Sequence, residues 1–347
     1  MKYISVTHMV KLIKHIGIEN LLTELAGYIE DDYKNWDKFD KSPRYCSHSD
    51  LGVNELMPTA DGNLFTFKYV NGHPGNFNKG LQTVVAFGVL ADVETGYPQL
   101  LSEMTIGTAL RTAAMSALVA KHLGNEHPQT MAMIGAGCQA EFQAYAFRAL
   151  TGVNTLRMYD IDPKVCEKFA RNMADAGFDI TLCTSSQEAV EKVDIITTCT
   201  ADKQYATILT DNMVGQGMHI NAIGGDCPGK TELHPDILAR GNVFVEFEEQ
   251  SRIEGEIQQM PEDFPVTALY EVFTNQKPGR KTQHEITIFD SVGFAMQDFS
   301  MLRYLYDKTG ETGFYDDLDI IGDLDDPRNL FGLISGEISP EIKAETA

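Results

Sequence analysis

Two stretches of this chain hold residue types at spacings that could do chemistry. The first is Gly135-Ala136-Gly137-Cys138-Gln139-Ala140, which reads G-x-G-x-x-A after a short apolar run and before a helical one. In a dinucleotide-binding turn the first glycine permits the bend and the second lets a pyrophosphate approach the backbone. The third position needs only a small residue for helix–strand packing. The following helix offers free N–H groups and a positive dipole end to the phosphates. Asp160 lies 23 residues beyond Gly137 and closes the next strand-like run. A carboxylate there accepts bonds from the ribose hydroxyls of adenosine and repels a 2′-phosphate. No arginine follows it closely, Lys164 being the nearest base, so the pattern points to NAD rather than NADP.

The second stretch, Gly224-Gly225-Asp226-Cys227-Pro228-Gly229-Lys230-Thr231, satisfies the phosphate-loop pattern G-x-x-x-x-G-K-[ST]. Its chemistry argues against a nucleoside triphosphate. Such a loop cradles phosphates with successive backbone N–H groups, yet Pro228 lacks one and Asp226 sets an anion among them. His234-Pro235 also leaves little room for a long helix facing the phosphates. Ligands of open α/β sheets sit where strands end at their carboxyl edge, and this loop leaves such a strand. Asp226 there has two readings, an acid held near a nicotinamide ring or a surface turn aspartate of the kind common in Gly/Pro-rich loops. Position alone does not separate them.

Two patterns surround these motifs. Leu21, Leu22, Leu25 and Ile29 recur at helical spacing, which predicts a helix ending before Trp36. An Asp61-Gly62-Asn63 turn leads into a strand over 64–70, and a more buried strand is expected over 81–90. A helix is expected over 105–123 with Thr105 as N-cap and Gly124 as its stop. Residues 1 to about 123 therefore read as an α+β unit rich in antiparallel pairing. After Pro128 the rhythm changes. Strands over 130–134, 155–159, 180–183 and 194–198 alternate with helices over 138–149, 164–176 and 186–192. Further strands are expected at 218–222, 243–246 and 286–289. Strand and helix at this interval predict parallel βαβ units in a doubly wound sheet. Residues 315–329 are rich in acids around an Asp-Pro and read as a solvated surface segment.

Composition narrows the function classes. The chain has 347 residues, with 28 Lys+Arg against 50 Asp+Glu and a formal charge of −22. At roughly 150 residues per domain, this length suggests two domains. So acidic a chain lacks the basic footprint for nucleic acid or an anionic membrane. No apolar stretch approaches the roughly 18 residues of a membrane span, and the first twenty residues interleave Lys and His with apolar ones, unlike a secretory leader. The six cysteines, at 46, 138, 166, 183, 199 and 227, form no C-x-x-C pair and no metal-binding spacing. The expectation is a cytoplasmic protein with reduced thiols and no metal.

Over nearly its whole length the chain resembles the ornithine cyclodeaminase/mu-crystallin family. The matching stretches are Glu55-Leu56-Met57-Pro58, Phe67-Lys68-Tyr69-Val70-Asn71-Gly72-His73-Pro74, Leu110-Arg111-Thr112-Ala113-Ala114 and Asp194-Ile195-Ile196-Thr197-Thr198. The loop from Gly225 to Leu233 and the run Phe289-Asp290-Ser291-Val292-Gly293 complete the set. The resemblance implies a Rossmann NAD-binding domain over 124–309. It also implies an α+β substrate-binding and dimerisation domain over 1–123 and 310–347, in a homodimer. The implied activity is conversion of L-ornithine into L-proline and ammonia, with NAD⁺ reduced and regenerated within one turnover.

Residue by residue, the resemblance implies that Arg44, Lys68 and Arg111 hold the α-carboxylate, that Glu55 faces the amino groups and that Val292 lies beside the substrate. Asp226 would be the acid/base, relaying protons while stabilising an iminium cation. Thr83, Arg111, Gly135, Gly137, Cys138, Gln139, Asp160, Thr200, Ile220, Asn221, Ala222, Ile223, Lys230 and Ser291 would surround NAD. Lys68 is notable for sitting in an otherwise apolar and aromatic run. The same architecture also supports a ketimine reductase, an amino-acid dehydrogenase or a binding protein without catalysis. Lysine is a rival substrate, since one methylene gives only about 1–3 kcal/mol of discrimination. The pairing of Glu55 with Asp226, two acids suited to a diamino acid, favours the cyclodeaminase.

Overall fold

The change of rhythm near Pro128 corresponds to two sheets built on different principles. The computed structural model describes residues 1–201, 207–322 and 324–335. The first sheet contains β1 (Lys2–Ile4), β2 (Tyr45–Ser49), β3 (Gly52–Ala60), β4 (Leu64–Gly72), β5 (Ala86–Asp92) and β6 (Pro98–Glu103). The short strand Asp316–Asp317 completes it, in the order 316–317, β1, β6, β5, β4, β3, β2. All of its neighbours are antiparallel except β1 and β6. The two-residue period of a strand divides the faces. Val53, Glu55, Met57 and Thr59 of β3, with Thr66, Lys68 and Val70 of β4, are buried, while Leu56 and Phe65 are exposed. Met57 pairs with Lys68 and Glu55 with Val70.

The inner face of that sheet is covered by the helix Ala295–Thr312, which packs on β3, β4 and β5 and against the helix Ile18–Lys34. Phe299 from this helix meets Phe39 edge-on at 5.0 Å. The sequence reading returned the chain to the first sheet at residue 310. The packing places that return at Ala295, because the apolar face of the helix carries Met296, Phe299, Met301, Leu302 and Leu305 into the core.

The second sheet is wholly parallel: β7 (Thr130–Ile134), β8 (Thr155–Tyr159), β9 (Asp179–Leu182), β10 (Ile195–Thr198), β11 (His219–Ala222), β12 (Asn242–Val245), β13 (Thr267–Ala268) and β14 (Thr287–Asp290). Their order is β13, β12, β14, β11, β10, β7, β8, β9. The chain runs outward from β7 to β9 and then crosses back to β10 beside β7. The β7/β10 boundary is therefore the switch point, where such sheets leave a crevice for ligands. The helices Thr105–Leu123 and Ala140–Thr151 pack on each other and on Ile18–Lys34. One apolar core consequently runs from Leu22 through Leu118 to Met133 and Phe147, joining both sheets, while Ile196, Ile220, Ile237 and Ile288 form a second core.

The fold class read from the sequence is the one observed. Several boundaries differ. Residues 81–85 precede β5, which starts at Ala86; Leu81, Val84 and Val85 are exposed. Thr105 is the first residue of its helix rather than its cap. Oε2 of Glu103 accepts from the N–H groups of Thr105 and Ile106, while the Thr105 hydroxyl accepts from Ala86 N at 3.0 Å. The helix expected over 164–176 is Pro163–Asn172, started by the Asp162 cap, and that over 138–149 is Ala140–Thr151. Part of the acid-rich segment pairs as the edge strand Asp316–Asp317 with β1. Among the described residues no helix is long and apolar enough to cross a membrane.

Candidate active site

Lys68 is the most unusual residue of the inner face, a lysine 1% exposed beneath a helix. Asp298, on the first turn of Ala295–Thr312, neutralises it. Nζ donates to Asp298 Oδ1 at 2.9 Å and lies 2.8 Å from Oδ2. The same carboxylate takes a second cation, Arg111, whose Nε donates to Oδ1 at 3.1 Å and whose Nη1 donates to Gln297 Oε1 at 2.8 Å. Two buried cations thus share one buried carboxylate. Burial pushes the Lys68 ammonium down to about 8; Asp298 opposes that fall and the neighbouring Arg111 adds to it.

Behind this cluster Glu246 organises the backbone. Its carboxylate accepts from Ser291 Oγ at 2.8 Å, Val292 N at 2.9 Å, Gly293 N at 3.1 Å and Gln297 Nε2 at 2.7 Å. Gly293 has φ +77, and a Cβ there would stand 2.7 Å from Arg111 Nη1. Glycine is required on both counts.

Arg44 lies on the other side of the Val292–Gly293 backbone. Its Nη2 donates to the carbonyls of Val292 and Gly293, and its Nη1 donates to Glu55 Oε2 at 3.0 Å. Nε sits 3.2 Å from Glu254 Oε2. Burial works against the guanidinium charge, but Glu55, Glu254 and Asp226 more than offset it and raise its pKa. Asp226 itself is open, its side chain 58% exposed, with Lys230 Nζ 3.4 Å from Oδ1. Lys230 is buried and also donates to the Thr200 carbonyl at 2.9 Å. Asp226 is therefore neither lost in the core nor an isolated turn acid. Its charge acts on Arg44 and Glu254.

At the switch point the glycine turn has the form its sequence predicts. Gly135 has φ +106, and a Cβ there would stand 2.6 Å from the Cys199 carbonyl at the end of β10; around Gly137 there is open space. Asp160 Oδ2 accepts from Ala136 N at 2.8 Å, and Oδ1 accepts from Asp162 N at 2.9 Å. Each oxygen keeps a further lone pair for a hydroxyl donor. Cys138 is exposed, and the buried Gln139 Oε1 has no hydrogen-bond partner. A glycine cradle at the switch point, an open phosphate path and an acid on the second strand fit a dinucleotide.

The other residues that the resemblance placed around NAD divide into two groups. Thr200, through its N–H and hydroxyl, donates to Glu232 Oε1 at the edge of the sheet. Burial pushes that carboxyl up, against the pull of Thr198 and Thr200. Ser291 N donates to the Ala222 carbonyl and Ile223 N to the Thr198 carbonyl, so these strand ends lie together. Thr83 offers its carbonyl to His73 N in the loop before β5. By contrast the Ile220 side chain is wholly inside the second core, and Asn221 is buried between His219 and Thr197. Both point into the sheet layers, so their side chains are structural. The phosphate-loop match at 224–231 is followed only by the six-residue helix Pro235–Arg240.

Sequence reasoning missed the residues that hold the site in place: Asp298, Gln297, Glu246 and Glu254. The one trace of the first two is that Gln297 and Asp298 interrupt the apolar residues Ala295, Met296 and Phe299. Glu246 and Glu254 follow ordinary acidic surroundings and carried none.

Parallel sheet, glycine turn and switch point define a dinucleotide-binding α/β protein with a cluster of buried charges beside it. The sequence pattern of the ornithine cyclodeaminase/mu-crystallin family matches residues 6–313, and the chain belongs to that family. Among its relatives is ornithine cyclodeaminase of Brucella suis biovar 1 (strain 1330), 62% identical over 332 residues that cover 96% of this chain and 93% of that protein. Among solved structures, a lysine cyclodeaminase described in terms of recognition of L-lysine, L-ornithine and L-2,4-diaminobutyric acid superposes with TM-score 0.90. It is 26% identical and covers 96% of this chain and 99% of that one. An archaeal alanine dehydrogenase dimer with bound NAD superposes with TM-score 0.84 at 29% identity, covering 92% and 99%.

Removal of Asp298 tests the shared ion cluster. Asp298→Ala leaves Lys68 and Arg111 facing one another inside the protein without a counter-ion. Breaking a buried pair in this way costs about 3–5 kcal/mol, and denaturant unfolding is expected to show a loss of that size. A loss below about 1 kcal/mol, the range of an exposed pair, would mean that Asp298 does not hold them.

Proposed function

We infer that this chain is an NAD-dependent ornithine cyclodeaminase that converts L-ornithine into L-proline and ammonia. The observation that carries this reading is the division of charge in the site. Lys68 and Arg111 share the carboxylate of Asp298, and Gln297 links Arg111 to Glu246, so that side presents a pair of buried cations. Around Arg44, Glu55, Glu254, Asp226 and Lys230 three carboxylates meet two cations, so that side lacks one positive charge. An amino acid bearing a carboxylate at one end and an extra ammonium at the other matches the cations on one side and the acids on the other. The family membership and the 62% identity to an ornithine cyclodeaminase support the same substrate.

NAD⁺, when bound at the glycine turn, supplies a hydride acceptor that oxidises Cα and returns the hydride within the same turnover. The chain's own residues do the rest. Lys68 and Arg111 take the α-carboxylate through charge-assisted bonds, and Arg44 retains one Nη1 hydrogen for it. Held at several points, the substrate presents Cα in one orientation, which lowers the entropic part of the barrier. Glu55 faces the amino groups. Asp226 takes a proton from the side-chain amine as its nitrogen closes on Cα, and returns a proton to the α-nitrogen as it leaves as ammonia. The exposed side chain of Asp226, beside Lys230, suits a group that must take up and give back a proton. Val292 is fixed by its carbonyl to Arg44 and its N–H to Glu246, so it forms a rigid wall beside the substrate.

We also place a second copy of the chain on the outer face of the first sheet. Leu56, Phe65, Val85 and Phe87 are exposed there and Tyr69 stacks on Phe87 at 5.2 Å, an uncovered apolar surface of the kind that marks an interface. Cys46, Cys138, Cys166, Cys183 and Cys199 form no disulfide among the described residues, which supports a reducing, cytoplasmic setting.

The deciding assay supplies L-ornithine with a trace of NAD⁺ and follows proline, ammonia and reduced cofactor together. Proline and ammonia are expected in equal amounts far beyond the NAD⁺ added, with no lasting NADH. NADH rising in step with product would make the chain a dehydrogenase, and turnover of lysine alone would change the substrate. Asp226→Asn is expected to lower kcat by about 10²–10⁴ while NAD⁺ binding, read by fluorescence titration, is retained. In the free protein Lys68 loses its proton as pH rises through about 8, whereas a bound carboxylate holds that proton on. kcat/KM should therefore fall above that pH before kcat does. Lys68→Arg should remove this alkaline limb; a limb unchanged in that variant would assign it elsewhere. Light scattering on the purified protein should give twice the 38.5 kDa chain mass, and a monomer would overturn the assignment of the outer sheet face.

A further inference from the structure

Glu254 is the charged residue of the site to which the mechanism above gives no task. It is the last residue of the helix Glu248–Glu254 and is 3% exposed. Its Oε1 is 3.8 Å from Cys46 Sγ, and Glu55 Oε1 is 3.9 Å from the same sulfur. The sulfur and the two carboxylates lie within 4.8 Å of one another. Its Oε2, although 3.2 Å from Arg44 Nε, has no aligned donor, and Arg44 Nε likewise has no aligned acceptor. Arg44 has already spent its better bonds on Glu55, Val292 and Gly293. A buried carboxylate oxygen with no donor is costly unless something completes it.

The cluster is not arranged as a metal site. The guanidinium stands against both carboxylates, and the Cys46 thiol is pushed up to about 12 by burial and by Glu55 and Glu254, far from the thiolate a metal would need. What suits the chemistry of these carboxylates is a cation that brings its own hydrogens. A primary ammonium has three N–H donors in a compact head, and it would supply aligned donors to the carboxylates of Glu254 and Glu55, which Arg44 alone does not complete.

We propose that Glu254 is a specificity-determining residue that, with Glu55, seats the side-chain ammonium of the substrate and distinguishes a diamino acid from a monoamino acid. This rests on the reading of the site as one for L-ornithine. Without a ligand, two carboxylates and the nearby Asp226 compete for Arg44. Burial, reinforced by Glu55 and Asp226 against the pull of Arg44, raises the Glu254 carboxyl to about 7. Below that value Glu254 is a neutral acid and the deficit of positive charge disappears; above it the deficit is restored and an ammonium is attracted. The groups that set this balance are Arg44, Glu55, Cys46 and Asp226.

The test compares L-ornithine with L-norvaline, which has the same five-carbon skeleton without the distal amine. Norvaline is measured as an inhibitor of ornithine turnover by the NAD⁺-loaded enzyme. Glu254→Gln keeps the shape and removes the charge. KM for ornithine is expected to rise about 10- to 100-fold, the range of one hydrogen bond to a charged group, with kcat within a few-fold. The norvaline inhibition constant should be unchanged, and Glu254→Asp should recover part of the ornithine affinity. In the unmodified enzyme the preference for ornithine over norvaline should grow between about pH 6 and 8, across the titration of Glu254, an arm that needs no variant to fold. Equal weakening of both ligands in Glu254→Gln would reduce Glu254 to a structural role, as would a pH-independent preference, and both overturn the proposal. An unmodified enzyme that does not turn over ornithine would instead refute the substrate assignment on which the proposal rests.

Discussion

A lysine inside a protein is an expense that must be met by something specific, and in this chain the something is Asp298. Its carboxylate sits where β4, the helix Thr105–Leu123 and the helix Ala295–Thr312 converge, and it binds a cation from each of the first two. The three elements could pack together by apolar contact alone, and most of their shared surface does so. The ion cluster adds direction: only one rotation of each helix brings Lys68, Arg111 and Asp298 within hydrogen-bond reach. Once that is set, Gln297, the preceding residue, meets Arg111 and Glu246, and Glu246 in turn shapes the 291–293 backbone against which Arg44 is held. The site is thus the outer end of a chain of polar contacts whose inner end is a single carboxylate.

The arrangement also shows how so acidic a protein brings Arg44, Lys68 and Arg111 into its interior. The charged groups of the interior are local, cations paired around Asp298 on one side and acids around Arg44 on the other. Desolvated charges of this kind interact far more strongly than those on the surface, so the −22 of the whole chain matters less than these few groups. The glycine turn works by a different principle, offering backbone and open space rather than side-chain charge. The two devices meet where β14 ends, since Ser291 is bonded to the strand that ends beside the switch point.

Much of the nucleotide-binding sheet was legible because its signals are local. A five-residue apolar strand, a G-x-G turn and an acid at the end of the next strand are read within thirty residues, and β7, β8 and Asp160 lie where that reading puts them. The early helix at Leu21–Ile29 and the hairpin at Asp61–Asn63 were legible for the same reason. The long helix Ala295–Thr312 was not, because its residues are buried nearly all round and its amphipathic signal is weak; Gln297, Asp298 and Ser300 interrupt the apolar positions that would have announced it. The boundary at residue 310 failed with it. In the site, Lys68 was conspicuous as a base among aromatic residues, but its partner lies 230 residues away, and no local pattern joins the two. Glu246 and Glu254 were invisible for the opposite reason. Acids are so common in this chain that two more convey nothing until the fold buries them.

That separation along the chain has a consequence for how the molecule comes to exist. During synthesis β3, β4 and β5 emerge early and can pair as a meander, but their inner face then holds a lysine with no counter-ion and an uncovered apolar surface. The entire parallel sheet must be made before the helix that supplies both the cover and the carboxylate leaves the ribosome. The helix that covers β3, β4 and β5 is therefore among the late elements of the chain to be synthesised. A chain stalled or cut within the nucleotide-binding half would present a recognisable unfinished surface to chaperones and proteases, and could not form a working catalyst by accident.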